Sequence, residues 1–190
     1  MDTLKTDTIK KNKTMFTAID SMPEYPGGYV AFGRYVSRNL KYPPVAQLIG
    51  IDGKLVMTFI VEKDGKITSA MPVNCIGAGC EAEATRLLES SIAWKPGVQK
   101  GKRVRVQYSV PIIFMIDKGK VTMKDLRSSG YGFVFKIKDA LYTIDEAQSV
   151  IGKSFRSEDV KIAELFYNTD DEPKFTMPEK KEVYLLTMKE

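Results

Sequence analysis

The sequence predicts an α+β fold: a small antiparallel sheet packed on two helices, followed by a second small α+β unit. Three observations carry this. Leu55, Met57, Phe59 and Val61 alternate with Lys54, Val56, Thr58, Ile60 and Glu62, the period of a strand with one buried face. The stretch 103–114 repeats the pattern, with Val104, Val106, Tyr108, Val110, Ile112 and Phe114 on one side and Arg103, Arg105, Gln107 and Ser109 on the other. Helical spacing appears before and between them, so the order helix, strand, strand, helix, strand places helices over one face of a sheet.

Taken in order, residues 1–22 are polar and Lys/Thr-rich and read as a flexible lead-in. The run Pro23-Glu24-Tyr25-Pro26-Gly27-Gly28 breaks regular structure. Phe32, Val36 and Leu40 then fall on one helical face. Tyr42-Pro43-Pro44 ends that helix, because a residue before proline is pushed out of the α region, and Val45–Ile49 suits one more helical turn. After the strand at 54–62, Lys63-Asp64-Gly65-Lys66 predicts a type I′ hairpin, with Ile67–Val73 as the returning strand. Ala84, Leu87, Leu88 and Ile92 predict a helix over Cys80–Ile92. Glu81 and Glu83 sit in its first turn, where the helix dipole favours them. Trp94-Lys95-Pro96-Gly97 leaves this helix, and Gln99-Lys100-Gly101-Lys102 turns into the strand from Arg103 to Phe114. Pro111 has no amide to give a ladder, so it marks an edge strand or a strand end.

Lys118–Gly130 reads as a linker. Beyond it Tyr131–Ile137, Ala140–Ile144 and Val183–Met188 are β-rich, and Asp145–Ile151 is helical. Ser157-Glu158-Asp159 caps a further element running into Ile162–Phe166. The expected organisation is lead-in 1–22, first domain 23–117, linker 118–130 and extension 131–190.

Composition narrows the chemistry. The chain has no histidine, which removes imidazole proton transfer, Ser-His triads and histidine metal ligands. Cys75 and Cys80 are the two cysteines, too few for a structural zinc site. They flank the turn Ile76-Gly77-Ala78-Gly79, and two readings stay open: a disulfide, or two ordinary thiols. Glu81 and Glu83, at i and i+2, face different sides of a helix. No Gly-rich stretch has the sequel of a phosphate loop. The chain therefore reads as a non-enzyme without a cofactor. Its net charge is +5, made of +6 over the first 119 residues and −1 over residues 120–190. The basic part lacks the interleaved aromatic-basic stripe of a nucleic-acid binder. No segment has the length and apolarity of a membrane span, and the start is not a signal peptide.

Several ordered motifs resemble one family. Met22-Pro23-Glu24-Tyr25-Pro26-Gly27-Gly28, Asn39-Leu40-Lys41-Tyr42-Pro43, Gly53-Lys54, Phe59-Ile60-Val61-Glu62-Lys63-Asp64-Gly65-Lys66, Ala93-Trp94-Lys95-Pro96-Gly97 and Val104-Arg105-Val106-Gln107-Tyr108-Ser109-Val110-Pro111-Ile112 are similar to a TonB C-terminal domain of Bacteroidetes-type energy transducers. The resemblance implies a periplasmic module that grips the Ton box of a TonB-dependent outer-membrane receptor by adding it as a strand, in energy-coupled nutrient uptake. It also implies an ExbB–ExbD-type motor where an anchor is present. The chain as read has no anchor or Pro-rich spacer. It also continues past the family's usual end, with Leu141-Tyr142-Thr143-Ile144-Asp145, Glu158-Asp159-Val160 and 182–189 faintly resembling a receptor plug segment. The alternative is an accessory or sensory envelope protein that binds a partner through this extension.

The candidate partner-binding residues are Asn39, Lys41, Tyr42 and Pro43, bordering a peptide groove as the resemblance implies, with Arg103, Arg105, Gln107 and Ser109 on the strand. Tyr42-Pro43 reads equally as a helix stop packed on the sheet, and the four strand residues also read as its wet face. An open sheet edge suits homodimer pairing as well.

Overall fold

A computed structural model describes residues 18–116, 121–152 and 155–189; most of the lead-in lies outside them. The first half runs α1 (Gly28–Asn39), α2 (Pro44–Ile49), β1 (Gly53–Val61), β2 (Ile67–Pro72), α3 (Cys80–Glu89), β3 (Gly97–Gln99), β4 (Lys102–Val104) and β5 (Val106–Phe114). The second runs α4 (Met123–Ser128), β6 (Gly132–Ile137), β7 (Ala140–Tyr142), α5 (Ile144–Ile151), β8 (Val160–Leu165) and β9 (Val183–Met188).

β1 is the centre of an antiparallel sheet of order β2-β1-β5. Its odd residues Leu55, Met57, Phe59 and Val61 are buried against partners of the same face on β5, in the register Leu55↔Ile112, Met57↔Val110 and Phe59↔Tyr108. α1 and α3 cover this face, and the Tyr35 hydroxyl of α1 donates to the Leu87 carbonyl of α3 at 2.8 Å. Trp94, 4% exposed, is the hub beneath them. Its ring centroid lies 5.2 Å from Phe59, 5.3 Å from Phe32 and 5.6 Å from Tyr25.

The sequence-predicted elements hold with five differences. The β1–β2 hairpin is not type I′, which needs positive φ at both central residues. Gly65 alone turns left-handed, at φ 88, and its amide donates to the Glu62 carbonyl at 2.9 Å, which makes a three-residue loop. The Trp94 amide donates to the Gly65 carbonyl at 2.8 Å, and any side chain at Gly65 would run into the Trp94 backbone. α3 stops at Glu89 and leaves Ile92 58% exposed. The Ser91 amide donates to the Leu88 carbonyl and its hydroxyl accepts from Trp94 Nε1 at 3.2 Å, so the chain turns early to bring the indole inward. The long strand 103–114 is two: β4 pairs with β3, β5 pairs with β1, and Arg105 stands between them. β3 and β4 are joined by Lys100 and Gly101, both at positive φ, the two-residue turn that suits strand twist. Ser21 of the expected lead-in bridges Val98, and Glu24, just past it, bridges Lys95. Finally, the stretch read as a linker contains α4. A capping box between Thr122 and Asp125 starts it, and Met123 and Leu126 are buried.

The second half forms its own four-stranded sheet, β7-β6-β9-β8, with β6 and β9 parallel. The element after Ser157–Asp159 is the strand β8. The buried residues of both halves form one cluster. At their junction the Ala78 amide donates to the Ala163 carbonyl of β8 at 2.6 Å.

Gly33 lies mid-helix in α1, and a Cβ there would meet nothing within 4 Å. Gly33→Ala is expected to raise stability by about 0.5–1 kcal/mol, read as a higher denaturant midpoint with an unchanged slope.

Candidate functional site

The site is built on hydrogen-bond parity in the first sheet. Bonded and non-bonded pairs alternate along an antiparallel ladder. The Val73 amide donates to the Val56 carbonyl at 2.8 Å, and the Val56 amide donates to Asn74 Oδ1 at 2.8 Å. Both backbone groups of Val56 therefore face β2. Its partner on β5, Pro111, consequently turns its backbone to the outer edge, and so do Gln107, Ser109 and Ile113. No strand among the described residues pairs with that edge. Pro111 sits where its missing amide costs the existing sheet nothing. The extension's strands sit in their own sheet.

Above this edge runs a groove of about 320 Å³ between α1 and the C-terminal half of β5. Phe32 forms its buried floor; Tyr29, Val36, Leu40, Ile112 and Met115 line it. Its lining contains no charged side chain. Tyr29 and Met115 are 70% and 77% exposed.

The sequence-predicted residues fall into two groups at opposite ends of β5. At the C-terminal end, Tyr42 packs its ring edge-on to Phe114 at 5.7 Å and donates its hydroxyl to the Ile51 carbonyl. Burial, with the neighbouring Cys80 and Asp52, pushes its phenol up to about 12. Pro43 caps α2. Asn39 Nδ2 donates to the Tyr35 carbonyl at 2.8 Å, and the Asn39 carbonyl accepts from Arg86 at 2.9 Å. The Lys41 amide donates to Glu83 Oε1 at 2.6 Å. Burial alone would raise the Glu83 carboxyl, but hydrogen bonds from Arg86 and Lys41, with their charges, outweigh it and hold the carboxyl below its usual value. The stabilisation this implies is complete above the unfolded carboxyl range and lost as pH falls through the depressed folded value. Asn39 and Lys41 thus tie the end of α1 to α3, whereas Tyr42 packs on β5 and Pro43 starts α2.

At the other end, Arg103 is exposed on β4. Arg105 Nε donates to Glu62 Oε1 at 3.0 Å, and Gln107 Nε2 donates to Thr58 Oγ1 at 3.1 Å across the outer face. Ser109 is exposed beside them. Sequence reasoning missed the α1 wall of the groove. Its signal was present in Tyr29, a large aromatic residue in the first turn of α1 that is 70% exposed.

Cys75 is exposed and Cys80 buried, both as free thiols. The Glu81 carboxylate accepts from the amides of Ile76 and Gly77 at 2.7 and 2.8 Å, which fixes the turn between them. Burial, then Glu81 and Glu83, push the Cys80 thiol up to about 12. Alkylation of the native chain near neutral pH is expected to label Cys75 and spare Cys80. Mass spectrometry checks this; absence of any label on Cys75 would reveal a bond.

Among the described residues no helix is long and apolar enough to cross a membrane. No curated protein matches the chain. Residues 38–116, from the end of α1 to just beyond β5, match the model for the Gram-negative bacterial TonB protein C-terminal, and this part of the chain is similar to the TonB C-terminal domain family.

Proposed function

We propose that this chain is a periplasmic peptide-binding module that engages the Ton box of TonB-dependent outer-membrane receptors by strand addition to β5, within energy-coupled nutrient uptake. The family is one of receptor-interacting energy transducers and is not enzymatic, which supports the general role. The observation that carries the finer reading is the unpaired outer edge of β5. A row of free backbone groups is a template for β-augmentation, in which main-chain bonds supply affinity and side chains tune the choice of partner. The backbone groups of Gln107 and Ser109 lead that row, with the carbonyl of Pro111 beyond them.

Titration of the labelled chain with Ton-box peptides, followed by backbone NMR, tests this. Shifts are expected along Gln107–Ile113. Gln107→Pro and Ser109→Pro are expected to abolish binding while preserving the fold, because those amides point outward. Proline at Val106 is not an equivalent control, since that residue is bonded to Val61. Binding that survives both outward substitutions would refute strand addition at this edge.

A further inference from the structure

We infer that the segment captured on β5 is bipartite: an extended peptide with an apolar anchor side chain for the groove between α1 and β5, and an acidic residue about nine positions away on the Arg103 side. This ligand chemistry rests on the strand-addition reading and adds to it.

The two ends of the edge differ in kind. At Arg103 the chain is cationic. Lys100, Lys102 and Arg103 are exposed and form no ion pair among the described residues, whereas Arg105 is engaged by Glu62 at 3.0 Å. The Val98↔Arg103 pair lies between the two closing pairs of its hairpin, so Arg103 turns its backbone away from β3, towards the side that a ligand would line. At the other end the groove is uncharged and apolar. A strand laid along β5 alternates its side chains between the helix face and the outer face. Residues of the ligand opposite Ile112 enter the groove, and residues opposite Arg103 fall on the outer face with its guanidinium. The odd spacing between positions 103 and 112 satisfies both ends of one regular strand, over about 30 Å.

Pro111 sharpens the division. It offers a carbonyl and no amide to the ligand, so main-chain pairing weakens where the groove begins, and side-chain burial takes over there. The wall of the groove from Tyr29 to Ser37 precedes residue 38, the first residue that the family model matches, so most of the helical wall of the anchor pocket lies outside that segment, while Leu40 and the β5 side lie within it.

The experiment uses the full chain and dye-labelled synthetic strands carrying one Phe and one Asp about nine residues apart, in both chain directions. Matching strands have the Phe replaced by Ser or the Asp by Asn. One strand direction is expected to bind, and loss of its Phe to weaken it about tenfold. Gly33→Trp fills the groove from an open helix position. It is expected to weaken the Phe strand about tenfold and leave the Ser strand unchanged, as coupled partners require. The Asp→Asn strand and Arg103→Glu are expected to slow association a few-fold at low salt and to lose that effect at high salt. Equal binding of all strands to the parent and Gly33→Trp chains, with Ser109→Pro still blocking, overturns the bipartite ligand and leaves strand addition standing. Failure of every strand, and of Ton-box peptides, overturns both.

Discussion

Trp94→Ala is expected to lose roughly 3–5 kcal/mol of stability, the range for deleting a buried aromatic from a packed core. The indole joins the helix side to two strands of the sheet: Tyr25 and Phe32 from the α1 side, Phe59 from β1, and Tyr108 from β5 at 6.1 Å. Among the described residues no other connects the helix layer to both of these strands through ring contacts. The cavity left behind is bounded by side chains fixed from different elements, so collapse into it is limited. Since domains hold only about 5–15 kcal/mol in total, the variant is expected to melt far below the parent, with loss of near-UV aromatic ellipticity. Trp94→Phe should recover part of the loss, because it keeps a ring against Phe59 but forfeits the bond to Ser91. A Trp94→Ala chain with parental denaturant midpoint would show that the helices are held by other contacts.

Gly77→Val is the second large effect, and it acts at the junction of the two halves. Gly77 has φ 85, a region that β-branched residues strongly avoid. An added Cβ would also strike the Ala163 carbonyl and come within 2.9 Å of the Ala163 nitrogen. Backbone strain of about 1–3 kcal/mol adds to a weakened Ala78–Ala163 hydrogen bond worth about 1 kcal/mol. The expected outcome is faster hydrogen exchange at Ala78 and earlier proteolysis of β8, with β1 and β5 still protected. Gly101→Val is the control. It also sits at positive φ, at 68, but a Cβ there meets nothing within 4 Å, so it carries the strain without the collision. If both variants behave alike, the close approach at Ala163 is not what orders the extension. We propose that residues 23–117 and 131–190 are separate folding units, and this pair of variants measures how strongly they depend on each other.

How much of this was legible in sequence follows from which forces are local. β1 and β5 could be read because their period-two pattern is set by burial of one face, and Pro111 correctly pointed to an edge. The kind of turn at Lys63–Lys66 could not, because Trp94, nearly thirty residues away, holds the Gly65 backbone. The early end of α3 escaped for the same reason: Ile92 has helical spacing, but indole burial decides where the chain turns. α4 hid in a polar stretch because two buried residues, Met123 and Leu126, make too short a pattern to detect. The candidate residues split likewise. Motif resemblance brought Asn39–Pro43 and Arg103–Ser109 forward as one set, whereas the sheet separates them by the length of β5. Tyr29 marked the α1 wall of the groove in the sequence, but its meaning depends on which strand runs beneath it.

The pairing of Ser21 and Glu24 with the hairpin has a mechanical consequence. Val98 and Ser21 exchange bonds at 2.9 and 3.2 Å, Lys95 and Glu24 exchange bonds at 2.8 and 3.0 Å, and a salt link of 2.8 Å joins the last two side chains. That hairpin continues directly into β5. Under the proposed strand addition, tension applied between the N-terminal side of the chain and a strand on β5 is expected to pass through this backbone pairing before it reaches the aromatic core. Pulled along the strand axis, these bonds share the load; pulled across it, they open one after another. The direction of pull, rather than the depth of the core, is expected to set the load at which these contacts yield.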